Sequence, residues 1–163
     1  MWRLVAILGG VTGAVALSQF PEFSQQYLQR LAGKVDALTT VTTAFDSSAA
    51  KAGLTREAAL GQLTGSQFNQ EHQGDMRVTF AQAQVLSDNL ATLRQASPMA
   101  RLAMPQRLDD VDTLQATWAD FKPALPTTPD GAMTAGIGYV VGWGLVALLW
   151  RALAWPFRRR RYA

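Results

Sequence analysis

"AMTAGIGYVVGWGLVALLW" fills residues 132–150 without one charged side chain. Nineteen helical residues at about 1.5 Å each make roughly 28 Å, close to the ~30 Å of hydrocarbon in a bilayer. The stretch therefore reads as a membrane span. Trp150 and Trp155 would lie at one interface, with Arg151 snorkelling outward and Arg158, Arg159, Arg160 and Arg161 in the water beyond.

The opposite end offers a second candidate, "LVAILGGVTGAVAL", residues 4–17, behind the single Arg3. A run this short also resembles a signal peptide, for which Ala14-Val15-Ala16 would serve as the cleavage site. The charge-free stretch continues through Ser18, Gln19 and Phe20, however, long enough to cross, so a retained span is expected.

Charge separates these ends from what lies between them. All 12 acidic residues fall between Glu22 and Asp130, a region with nine basic residues and a net charge of −3. Six arginines at the ends contribute +6, so the isoelectric point of about 9.7 describes the tips of the chain. A nucleic-acid partner is not expected, because the middle region lacks a basic surface to meet phosphate. Lys and Arg beside short spans stay on the cytoplasmic side. Both termini are accordingly expected in the cytoplasm of a bacterium, with the spans in the inner membrane and the middle in the periplasm. Lipid is one expected partner, and the arginines suit anionic headgroups as well as topology.

Gly9 and Gly13 are four apart, as are Gly138 and Gly142. Small residues at that spacing let helices approach closely in lipid, so these four are the expected helix-packing positions, against each other or against a partner's span.

The middle reads as helical. Leu28, Leu31, Val35, Leu38, Thr42 and Phe45 recur at steps of three and four, predicting a helix over 21–45 that ends in the loop "DSSAAKAG". Thr55 is a candidate N-cap for a short helix ending near Gly65. "GSQFNQEHQGD" reads as a break, after which Asp75 caps a helix carrying Met76, Thr79, Ala83, Leu86, Leu90 and Leu93. Two matched seams suggest an antiparallel hairpin. A last helix is predicted from Arg107 or Leu108 to Phe121, and "KPALPTTPDG" follows as an extended linker because of its three prolines. The fold class is all-α. The expected division is a first span over 1–20, a helical domain over 21–130, a second span over 131–157 and a basic tail over 158–163.

Chemistry is sparse. His72, the one histidine, stands beside Glu71 and near Asp75 in the polar break, where a solvated loop residue is the simpler reading. Asp109, Asp110 and Asp112 suit the first turn of a helix without any cation. The chain has no cysteine, no phosphate-binding glycine loop and no zinc-protease motif, and neither span carries an ionisable residue at its centre. No cofactor, metal or catalytic residue is expected.

"FPEFSQQYLQRLAGKVD" (20–36) and "TWADFKPALPTTPDG" (117–131) resemble the flanking motifs of a family of small two-span bacterial inner-membrane proteins catalogued only as a domain of unknown function. The resemblance covers about a third of the chain and implies the same layout without carrying over an active-site residue. It draws attention to the outer membrane face, where Phe20, Phe23, Tyr27, Gln29, Arg30, Trp118, Phe121 and Pro123 would serve the interface or a partner. The expected function is non-enzymatic: an accessory or scaffolding subunit among other integral membrane proteins, with an electron-transport complex one conceivable host. The alternatives are a periplasmic sensor acting through a partner, since the tail after Phe157 holds no output domain, and a membrane-tethered enzyme built on His72.

Overall fold

The computed structural model describes residues 2–123 and 128–159, with side chains placed as far as Leu153. The described residues are helices joined by turns, without a strand. In chain order the helices are α1 (Trp2–Ser18), α2 (Phe20–Lys51), α3 (Arg56–Gly61), α4 (Gln67–Gln95), α5 (Pro98–Arg101), α6 (Val111–Ala119) and α7 (Pro129–Arg159), with a 3-10 turn at Pro105–Arg107. The expected all-α class is the observed one. Among the described residues two helices are long and apolar enough to cross a membrane, one beginning at Trp2 and the other spanning Pro129–Leu153.

Two compact units divide the chain. The first contains residues 1–26, 97–104 and 118–163, and its central feature is the pairing of α1 with α7. Gly9 faces Gly142 and Val146, while Gly13 faces Gly138, so the two helices run antiparallel. Their remaining faces carry Leu4, Leu8, Val15, Val140, Leu148 and Leu149, all uncovered. Exposed leucine and valine around a two-helix pair would be costly in water and suits hydrocarbon.

The passage from α1 to α2 takes one residue. Pro21 has no N–H to continue the ladder, which resumes where the Phe23 amide donates to the Gln19 carbonyl at 2.9 Å. Ser18 donates its hydroxyl to the Val15 carbonyl at 2.8 Å, which keeps its polar atom satisfied although the residue is buried.

The second unit contains residues 27–96 and 105–117. Its core takes Leu28, Leu31, Val35 and Ala49 from α2, Leu60 from α3, and Met76, Leu86, Leu90 and Leu93 from α4. Most of these are the seam positions that the spacing predicted. Phe45 meets Phe80 edge to face at 5.5 Å, and the Arg56 guanidinium lies 3.9 Å over the other ring partner, Phe80. Arg56 also donates to both carboxylate oxygens of Asp46, at 2.9 and 2.6 Å, and so fixes the turn between α2 and α3.

Several helix boundaries differ from the expected ones. α7 begins at Pro129, inside the stretch expected to be an extended linker, because proline suits a first helical turn and the Thr128 hydroxyl accepts from the Gly131 amide at 3.1 Å. α3 ends at Gly61 rather than near Gly65. α2 continues to Lys51, since Ala44, Ala49 and Ala50 favour helix and the Ser48 hydroxyl bonds back to the Ala44 carbonyl. It stops at Gly53, whose φ of +71° few other residues adopt. α4 begins at Gln67 rather than Asp75, because the Ser66 hydroxyl accepts from the Asn69 amide and caps the helix there. α6 starts only at Val111, where Asp110 accepts from the Thr113 amide at 3.1 Å. Thr55 caps α3 as expected, accepting from Ala58.

Candidate interaction surfaces

Helix α1 and helix α7 touch through backbone. A methyl group placed on Gly13 or on Gly138 would collide with the other's carbonyl oxygen, and one on Gly142 would collide with the Gly9 carbonyl. All four glycines singled out in the sequence thus meet in one seam within the chain. Gly10 adds a fifth contact, since a Cβ there would stand 2.7 Å from the Tyr139 ring. Gly136 and Gly144 have open space around them.

The antiparallel seam brings Trp2 and Arg3 to the same end as Trp150 and Arg151. The Arg3 guanidinium lies 5.9 Å from the Trp2 ring centroid, and Trp150 and Arg151 are exposed. Arg158 and Arg159 lie in α7, but their side chains and that of Trp155 fall outside the described set, as do Arg160 and Arg161 entirely.

At the far end of the seam the first unit gathers aromatic rings. Phe23 packs edge-on against Trp118 at 6.1 Å and against Phe121 at 5.6 Å. Phe20 is half-buried in the first turn of α2. Arg101 of α5 is buried in the same unit, donating to the Ser24 hydroxyl at 3.3 Å and the Gln25 side-chain oxygen at 3.4 Å. Burial pulls its pKa down while Asp130 opposes the shift. A buried guanidinium with hydrogen-bonding partners is costly to assemble and more costly to break, so Arg101 ties α5 to the foot of α2. The sequence carried no signal for it.

In the second unit, polar groups tie helices together. Lys34 donates to both Asp110 oxygens, at 2.8 and 2.9 Å, and to Asp112 at 3.3 Å. Burial works against the Lys34 charge, but hydrogen bonding and attraction from Asp110 and Asp112 prevail and hold its pKa above the usual lysine value. Burial likewise pushes Asp110 up, and the bonds from Lys34 and Thr113 more than reverse it, leaving the carboxyl below its ordinary range. Arg107 donates to the Asn89 side-chain oxygen at 2.8 Å, while the Asn89 amide reaches Asp109 at 3.4 Å. Tyr27 is completely buried, and its hydroxyl makes no hydrogen bond of acceptable geometry. Burial drives its pKa up to about 12; the Asp110 backbone pulls the other way, and the Asp110 and Asp109 carboxylates add to the rise.

These aspartates therefore serve as helix cap and ion-pair partners. Gln29 and Arg30, on α2, are exposed, as is Pro123. His72 lies on α4 rather than in a loop; it is exposed and stacks on Phe68 at 6.1 Å. Among the described residues no group of three or more His, Cys, Asp or Glu side chains is placed to hold a metal ion. The arrangement can join helices and present surfaces.

A family described as a protein of unknown function, DUF2937, matches residues 1–159, and the chain belongs to that family. No curated protein and no solved structure matches the chain.

Proposed function

We propose, taking that family membership as the premise, that the chain is a non-enzymatic accessory or scaffolding subunit of a larger assembly in the bacterial inner membrane. In this reading α1 and α7 anchor it with both termini in the cytoplasm, and the helices between them stand in the periplasm. The arginines at both termini support that orientation.

The observation that carries the proposal is a set of large apolar side chains left uncovered outside the spans. Val78 and Val85 of α4 are 66% and 56% exposed, and Ala81 lies exposed between them. Steps of three and four residues put the three on one helix face. Phe68, 76% exposed, stands at the start of the same helix, and Val41 is uncovered on α2. A contiguous apolar strip on the uncovered face of α4, opposite its buried seam, suits contact with another subunit.

Extraction in a mild detergent or native nanodiscs, followed by a native gel and mass spectrometry, tests the reading. Migration within a defined large complex supports it and names the host. A monomer or homodimer with no other protein in stoichiometric amount overturns it.

A further inference from the structure

Two hydrogen-bonding side chains sit where the second apolar helix is deepest. The apolar run of α7 spans Pro129–Leu153, with its midpoint at residue 141, and Tyr139 and Trp143 stand two residues before and after that point. Each is about 3 Å along the helix from the midpoint. Half of the ~30 Å hydrocarbon thickness is roughly 15 Å, farther than either ring reaches, so neither polar atom can lift itself to a headgroup. Tyr and Trp ordinarily collect at the two interfaces instead.

The pairing of α1 with α7 does not use up either ring. Tyr139 leans over Gly10 yet remains 38% exposed, and Trp143 is 41% exposed. Four residues apart, they share one face of α7. Among the described residues neither the Tyr139 hydroxyl nor the Trp143 N–H has a hydrogen-bond partner. Water would satisfy both, but hydrocarbon satisfies neither, and a polar group left bare there is costly. Whatever covers the face must offer an acceptor to the indole, which only donates, and a partner to the hydroxyl, which does both. A second copy does so at the right depth. Copies inserted in one orientation run their α7 helices parallel, and a two-fold contact sets Trp143 of each against Tyr139 of the other. The two positions differ by about 6 Å of helical rise, a gap that two long side chains can close. We infer that the Tyr139–Trp143 face of α7 is the contact with a second copy of this chain, closed by reciprocal hydrogen bonds from the Trp143 N–H to the Tyr139 hydroxyl. The inference rests on α7 crossing a membrane and not on the existence of a host; it makes the proposed subunit a dimeric one.

The absence of native cysteine makes the test direct. Ala147 lies four residues past Trp143 on the same face, whereas Val141, also exposed, lies two residues from each ring and so on the other side of the helix. Purified full-length Ala147→Cys and Val141→Cys chains are reconstituted at low protein-to-lipid ratio in phosphatidylcholine–phosphatidylglycerol vesicles, oxidised with copper phenanthroline and run on a non-reducing gel. Circular dichroism confirms that each is helical. Expected is a disulfide-linked dimer severalfold more abundant for Ala147→Cys than for Val141→Cys. Adding Tyr139→Phe or Trp143→Phe, which keep a ring but remove the polar atom, should lower the Ala147→Cys product severalfold. Equal dimer from both cysteines, or none from either, overturns the inference and means that lipid or another protein covers the face. An Ala147→Cys dimer indifferent to both Phe substitutions overturns it as well, since the hydrogen bonds then do not close the contact. Washing the vesicles with alkaline carbonate separates the failures. A chain that resists washing but fails the cross-linking loses only this inference; a chain that washes off loses the membrane reading with it.

Discussion

Gly13 and Gly138 lie so close that a methyl group on either would meet the carbonyl oxygen of the other. Backbone, unlike the end of a flexible side chain, cannot rotate away. Gly13→Leu or Gly138→Leu should therefore force the helices apart and destabilise the pair by about 1–3 kcal/mol, the usual range for overpacking. Gly136→Ala and Gly144→Ala, which enter open space, should change stability by no more than about 0.5 kcal/mol. Unfolding in detergent followed by circular dichroism compares the four variants. Equal effects at all four positions would show that the seam does not hold the pair.

Lys34 and Asp110 join α2 to the start of α6, and Asp110 also caps that helix. Asp110→Asn weakens both roles and should cost about 1–3 kcal/mol. The pH dependence has a definite sign. Asp110 titrates below its ordinary value of 3.8 when folded, so its contribution is fully present above that value and is lost as pH falls through the lower, folded one. Acid unfolding curves of the native chain should therefore steepen below about pH 4, and those of Asp110→Asn should be flatter there.

Tyr27 acts at the other end of the scale. Because its folded pKa is about 12 against an ordinary 10.0, the unfolded chain loses this proton first as pH rises. Stability should drop by up to about 1.4 kcal/mol per pH unit between those two values. Tyr27→Phe removes both the ionisation and a buried hydroxyl without a hydrogen bond. The variant should be at least as stable as the native chain at neutral pH and should lack this alkaline slope, as denaturant titrations at pH 8 and pH 11 would show.

Leu31 and Leu93 are wholly buried in the second unit. Truncating either to Ala should cost about 2–5 kcal/mol. His72→Ala, at an exposed site, should stay within about 0.5 kcal/mol of the native chain and leave partner capture on the native gel unchanged. Loss of a cellular phenotype in a normally folded His72→Ala protein would instead favour the enzyme alternative.

Composition was enough to pick out the two long apolar helices, and periodicity to pick out most of the second unit's core. Leu28, Leu31, Val35, Met76, Leu86, Leu90 and Leu93 are buried where their spacing placed them. The start of α4 was not legible because "QFNQEHQG" has no apolar repeat; a single hydroxyl, that of Ser66, starts the helix instead. Arg101 was not legible either, since only the folded chain brings Ser24 and Gln25 to it from more than 70 residues away in sequence. Helix α6 hid itself differently. Thr113 and Thr117 are buried while Val111 and Leu114 stay uncovered, and rules that assign apolar residues to the core orient it the wrong way round.

The seam between α1 and α7 also bears on how such a chain is made. About 110 residues separate the end of α1 from the start of α7. At the ~5–20 residues per second of protein synthesis, that gap lasts roughly 5–20 s. For that long, α1 must persist with its glycine face uncovered, while the segment that will cover it has yet to leave the ribosome. The helices of the second unit are completed in that interval, with α1 still unpaired.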